Sequence, residues 1–190
     1  MNLANKFTIA RVIMIPLFIA AVLIDAIPYN YTVAALIFII ASITDTIDGH
    51  LARSRNMITD FGKFLDPLAD KALVVTALIC LVDLGWVSSV IVSIIVIREF
   101  MVNALRLVAS SSSGEVIAAS IWGKLKTVTQ MVAIVATLVF MAFLQIFPEL
   151  IPQSALFAVS TAMMLIAAVM TVISGADYLY KYKDYINTKK

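Results

Sequence analysis

This chain is poor in the residues that staple, ligate zinc or charge a soluble domain. Its 190 residues include one cysteine and one histidine, and only 14% are Asp, Glu, Lys or Arg. A lone Cys80 excludes an intrachain disulfide, so the cysteine content does not point to an oxidising compartment. His50 and Cys80 are too few to supply a zinc cluster. A formal net charge of +2 is too small to suggest a nucleic-acid partner. The first apolar run is long, and no small-residue cleavage site with a polar flank follows it. It is therefore expected to be a membrane helix and not a cleaved signal peptide. There is no internal repeat and no low-complexity domain.

Apolar residues dominate instead. They make up 62% of the chain, against about 45–50% in an ordinary soluble domain, and the mean hydropathy is +1.01. These values predict an all-α, polytopic membrane protein forming one domain over residues 1–190. A span needs roughly 20 mostly apolar residues. Six runs qualify, at about 8–23, 31–47, 67–84, 87–108, 125–147 and 154–180, with a short surface helix at about 2–7. The second is expected to continue as a polar extension through Arg53.

The connections alternate in charge. The turns after the first, third and fifth runs carry no Lys or Arg. The connection after the second holds Arg53, Arg55 and Lys63, that after the fourth is flanked by Arg106, Lys124 and Lys126, and the tail has Lys181, Lys183, Lys189 and Lys190. The positive-inside rule makes the basic face cytoplasmic and puts both termini there. Trp86 and Trp122 are expected at opposite interfaces, and Tyr178, Tyr180 and Tyr182 with Lys181 and Lys183 read as an interfacial anchor. The serine run at 110–113 and Gly114 suggest a mobile connector, with a short surface helix at 116–122. Met163, Met164 and Met170 read as packing residues.

The chemistry concentrates between Asp45 and Asp70, in the segment DTIDGHLARSRNMITDFGKFLDPLAD. Asp45 and Asp48 are spaced i, i+3, and Asp66 and Asp70 i, i+4, so each pair shares one side of a helix. An Asp at the centre of a membrane helix costs about 2.5–3.5 kcal/mol on insertion scales. Retaining four near a membrane face calls for metal, water or cations. Oxygen donors of this kind suit Mg²⁺ or Mn²⁺ and leave coordination positions for phosphate. Individually these residues have plainer readings: Asp66 as an N-cap before Pro67, Gly49 and Gly62 as close-packing positions, His50 as a solvated loop residue.

The joint spacing is more specific. Asp45, Asp48, Gly49, Ala52, Arg53, Gly62, Asp66 and Asp70 form D-x2-D-G-x2-A-R-x8-G-x3-D-x3-D, a pattern expected by chance at about 10⁻⁹ or less per starting position. Without a gap, it resembles the signature of the CDP-alcohol phosphatidyltransferase family. That resemblance implies a six-helix membrane enzyme, commonly a homodimer, with its active site open to the cytoplasm. It implies that Asp45, Asp48, Asp66 and Asp70 hold one or two divalent cations, Mg²⁺ or Mn²⁺, and that Asp70 is also the general base. Asp48, Gly49, Ala52, Arg53 and Gly62 would form the CDP pocket. Residue chemistry agrees: glycines let backbone approach a nucleotide, and Arg53 offers a fixed cation to a diphosphate. Thr8 and Arg11 are further candidates at that diphosphate, with an interface anchor as their alternative role.

The opening NLANKFTIARVIMIPLFI and the later segments IREFMVNALRLVAS and GEVIAASIWGKLKTVTQ resemble the members of that family that use a glycerol phosphate acceptor. One departure is Ala4, where such members more often carry proline. The expected reaction moves a phosphatidyl group from CDP-diacylglycerol to sn-glycerol 3-phosphate, giving phosphatidylglycerol phosphate and CMP, in a bacterial cytoplasmic membrane. Arg106, Lys124 and Lys126, with Arg98 and Glu99, are the candidates for the acceptor site, because Lys and Arg bind phosphate through charge-assisted hydrogen bonds. The alternative is that these cations only set topology. Asp177 has no assigned role. Rival readings are a sister enzyme using inositol phosphate or another alcohol, a cation transporter, and a non-catalytic scaffold. A transporter needs polar groups deep in several spans, whereas the first, fifth and sixth have apolar centres.

Overall fold

The computed structural model describes residues 3–54, 60–113 and 120–183. Among these residues there are six helices and no strand: α1 (Leu3–Leu23), α2 (Asn30–Ser54), α3 (Asp60–Asp83), α4 (Ser89–Ser113), α5 (Ile121–Ile146) and α6 (Gln153–Lys181). In apolar surroundings a helix satisfies its own peptide groups, which is why long apolar runs fold this way. α5 and α6 are long and apolar enough to cross a membrane, and shorter apolar helical stretches cover Ile9–Leu23 and Asn30–Thr44.

Helix ends differ from the sequence expectation where polar residues continue a helix. α1 is continuous from Leu3 through Pro16. α2 includes the polar extension through Arg53. α3 begins at Asp60, seven residues before Pro67, so the N-cap reading of Asp66 fails. α4 absorbs Ser110–Ser113, which had been expected in a mobile connector. Polarity can end a membrane span without ending a helix. The surface helix expected at 116–122 lies partly outside the described residues, and its last two positions, Ile121 and Trp122, open α5.

Local signals fix the other boundaries. Gly85 has φ +73°, the left-handed conformation glycine adopts without penalty. Its N–H donates to Val82 O (2.9 Å) and that of Trp86 to Leu81 O (2.9 Å), the paired bonds of a Schellman stop. Ser120 caps α5 by accepting the Gly123 N–H on its hydroxyl at 3.2 Å.

α1 packs along α2 and α3, α2 along α5, α5 along α6, and α6 along α4. Phe18 and Phe38 meet between α1 and α2 with ring centroids 5.9 Å apart. Small residues Ala133, Ala167 and Ala168 are buried on α5 and α6, where they permit close approach of backbones. The buried hydroxyls of Thr137 and Ser160 bond across that interface at 2.6 Å. Asn30 ties three elements: its amide donates to Val22 O at 3.5 Å, and its Oδ1 accepts from Gln145 at 2.8 Å. Large apolar side chains such as Ile13, Leu36, Val90, Phe100, Val132 and Ile166 face outward on five helices. Exposure on that scale marks a surface meant for an apolar environment. Trp122 is exposed, whereas Trp86 is buried against Phe157 and not spread at an interface.

Candidate active site

The carboxylate motif occupies the end of α2 and the start of α3. Asp45, Asp48, Gly49, Ala52 and Arg53 lie on α2, and Gly62, Asp66 and Asp70 on α3. Their side chains, with those of His50 and Thr8, lie outside the described residues. Ala34, Phe38 and Ala41 are buried on α2, and Asp45 and Asp48 continue the same i, i+4, i+7 series. On α3, Asp66 and Asp70 lead into the buried series Leu73, Ala77 and Leu81. In sequence position, both pairs continue the helical spacing of those buried residues.

α1 supplies a cation at the same level. The Asn30–Val22 bond fixes α1 and α2 as an antiparallel pair, with Phe18 and Phe38 in contact. Seven residues from that contact, about 10 Å at a helical rise of about 1.5 Å per residue, stand Arg11 on α1 and Asp45 on α2. Three residues further stand Thr8 and Asp48. Arg11 is only 3% exposed, which argues against a plain interface anchor.

A second polar cluster forms where α3, α4, α5 and α6 converge. Glu99 on α4 is its centre. Lys126 of α5 donates to Glu99 Oε1, Arg98 Nη1 donates to the same oxygen at 3.2 Å, and Lys71 Nζ of α3 lies 3.7 Å from Oε2. Arg98 Nη2 donates to Ser174 Oγ of α6 at 2.5 Å. A Cβ at Gly175 would stand 3.3 Å from Arg98 Cγ, so the glycine lets the arginine lie close across α6. Arg106, two turns along α4, donates from Nη2 to Tyr178 Oη at 2.6 Å. Among the described residues, three cations (Lys71, Arg98, Lys126) contact the Glu99 carboxylate, and Arg106 joins them through the Tyr178 ring that it shares with Arg98. The Nε atoms of Arg98 and Arg106 are buried without a hydrogen-bond partner there. Such a cluster has donors to spare for an oxyanion.

Four of the five acceptor-site candidates therefore come together: Arg98, Glu99, Arg106 and Lys126. Lys124 does not join them. Two helical positions from the buried Lys126, it is exposed on another side of α5. Sequence reasoning missed Lys71, Ser174 and Tyr178. Tyr178, expected as an interfacial anchor, is 1% exposed inside the cluster, while Tyr180 is exposed beside Lys183. The available signal was the polar and small-residue stripe of α6, Ser160, Thr171, Ser174, Gly175 and Tyr178, at helical spacing. Asp177 pairs with Lys181 one turn on, at 3.0 Å. Met164 is fully buried in the core, in keeping with a packing role.

Comparison with known proteins agrees with the motif. The family model described as CDP-alcohol phosphatidyltransferase matches residues 1–174. The chain belongs to the CDP-alcohol phosphatidyltransferase family and is an enzyme of that class. Similar relatives include the CDP-diacylglycerol–glycerol-3-phosphate 3-phosphatidyltransferases of Bacillus subtilis (strain 168), 41% identical over 98% of both chains, and of Rickettsia bellii (strain RML369-C), 36% identical over 97% of both. A probable phosphatidylglycerophosphate synthase of Mycobacterium tuberculosis (strain ATCC 25618 / H37Rv) is 40% identical over 94% of this chain and 80% of its own.

Proposed function

We propose that this enzyme transfers the phosphatidyl group of CDP-diacylglycerol to sn-glycerol 3-phosphate, forming phosphatidylglycerol phosphate and CMP. The relatives' names support this acceptor. The observation that carries the reading is the Lys71–Glu99 contact. It joins the cationic cluster of α4 and α5 to α3, one residue after Asp70. A phosphate held by Arg98, Arg106 and Lys126 would then sit beside the carboxylate that deprotonates the acceptor hydroxyl.

In this mechanism Asp70 takes the hydroxyl proton as that oxygen attacks the phosphatidyl phosphorus. A new P–O bond forms in line with the breaking bond to CMP, which leaves with the electron pair. Arg53, with Arg11 and Thr8 at the level of the Asp45 pair, would bind the diphosphate. Gly49, Ala52 and Gly62 would admit the nucleotide. Asp45, Asp48, Asp66 and Asp70 fit a hard divalent cation, being four carboxylate oxygen donors at i, i+3 and i, i+4 spacing on two helices. When bound, Mg²⁺ or Mn²⁺ would neutralise diphosphate charge and ease the departure of CMP.

The same reading makes all six helices spans of a bacterial cytoplasmic membrane, with both termini and the site on the cytoplasmic side, and the enzyme a homodimer. Its support is the alternation of basic and non-basic connections and the outward apolar residues. Purified protein given CDP-diacylglycerol, Mg²⁺ or Mn²⁺ and a panel of acceptors should release CMP with sn-glycerol 3-phosphate. Release only with inositol phosphate would overturn the acceptor, and metal flux into liposomes without CMP would overturn the chemistry.

A further inference from the structure

Tyr178 lies on α6, four residues beyond the segment matched by the family model, yet it makes more connections in the cationic cluster than any anchor role requires. Its hydroxyl accepts from Arg106 Nη2 at 2.6 Å and from the backbone N–H of Ser120 at 3.1 Å. Ser120 is the N-cap of α5, the helix that carries Lys126. The ring lies 5.5 Å from the guanidinium carbon of Arg98 and 5.3 Å from that of Arg106, both within the range of cation–π attraction. One side chain thus contacts two arginines of α4 and the first residue before α5. Gly123 also packs on the ring: a Cβ there would stand 3.5 Å from Tyr178 Cε2 and Oη.

Two guanidiniums on one helix repel each other and are costly to hold close. Arg98 is fixed by Ser174 and Glu99, whereas Arg106 is held by its hydrogen bond to Tyr178. Without the phenol, the long Arg106 side chain would have to be ordered at the moment of binding, at an entropic cost that weakens affinity. The ring and hydroxyl remove that cost beforehand.

We propose that Tyr178 is a positioning residue for the acceptor phosphate. It preorganises Arg106, and through Ser120 the start of α5, so that Arg98, Arg106 and Lys126 converge on one oxyanion. The inference rests on the acceptor site proposed above, with Tyr178 acting through Arg106 and not on the reacting atoms.

Steady-state CMP release tests this with sn-glycerol 3-phosphate and CDP-diacylglycerol varied separately. Tyr178→Phe should raise the KM for glycerol 3-phosphate about tenfold, the scale of one hydrogen bond to a charged group. Its kcat and its KM for CDP-diacylglycerol should stay within about twofold of the parent. Tyr178→Leu, which also loses the ring, should raise the acceptor KM further. In an Arg106→Ala background, the effect of Tyr178→Phe should shrink to the smaller part carried by the Ser120 bond, because the arginine it holds is gone. An unchanged acceptor KM in Tyr178→Phe, or full additivity with Arg106→Ala, overturns the proposal. If the leucine variant does not fold, the phenylalanine variant, which loses one oxygen only, decides alone. A parent enzyme that releases no CMP with glycerol 3-phosphate overturns the acceptor reading instead, and the proposal with it.

Discussion

Lys71 of α3 reaches Glu99 of α4 across 3.7 Å, and this ion pair connects the helix that carries Asp66 and Asp70 to the helix of the arginines. Glu99 also receives Arg98 and Lys126. Its side chain is 17% exposed and that of Lys126 4%, so the charges are largely removed from water. Glu99→Gln leaves three cations facing one another with no carboxylate. Removing one partner of a buried pair costs about 3 kcal/mol, and thermal unfolding in detergent should show a loss on that scale. Inorganic phosphate or glycerol 3-phosphate should restore part of it by replacing the lost charge. A variant of parental stability, indifferent to phosphate, would show that the cluster needs no anion.

The carboxylate motif predicts a different phenotype. Asp70→Asn should lower CMP release about 10³-fold, within the usual range for a positioned base, while the protein keeps its helical circular dichroism. Chelation of divalent cations should stop turnover, and Mg²⁺ or Mn²⁺ should restore it. Near-parental turnover in the asparagine variant contradicts the assigned role.

The Thr137–Ser160 hydroxyl pair is a structural contact remote from chemistry. Thr137→Val keeps the shape and strands Ser160 Oγ. It should cost about 1 kcal/mol, near what interhelical hydrogen bonds contribute in membranes. Adding Ser160→Ala should recover much of that, because no buried polar atom is then left unpaired. Kinetic constants for both substrates should not move; a change in either KM would tie this interface to the site.

Orientation is accessible through the single cysteine. Cys80 is 6% exposed, and Cys80→Ser gives a cysteine-free background. Pro28→Cys, in the turn between α1 and α2, should react with a membrane-impermeant maleimide in intact bacterial cells. Lys183→Cys should react only after permeabilisation. The opposite pattern would invert the assigned topology.

Much of this was legible without coordinates because membrane burial writes itself into composition. A helix built for an apolar environment is apolar along its length, so six apolar runs could be counted where six helices form, and the charge of the connections alternated visibly. What the runs did not show was where helices continue past the apolar stretch. α3 starts at Asp60 and α4 ends at Ser113, because backbone hydrogen bonding does not require an apolar side chain.

The carboxylate motif is local in sequence, eight positions within 26 residues from Asp45 to Asp70, so its spacing alone named the family and its chemistry. The cationic cluster is not local. Lys71, Glu99, Lys126 and Tyr178 come from four helices, and no spacing relates them. Lys124 and Lys126 looked equivalent in the sequence, and only helix rotation against α4 and α6 separates the exposed one from the buried one. Tyr178 and Tyr180 were likewise indistinguishable until packing put one on Arg106 and left the other outside. The sequence by itself determined the class of reaction, because the residues of the family signature are neighbours along the chain. Tertiary structure alone decided which cations meet, because that depends on which face of each helix its partners cover.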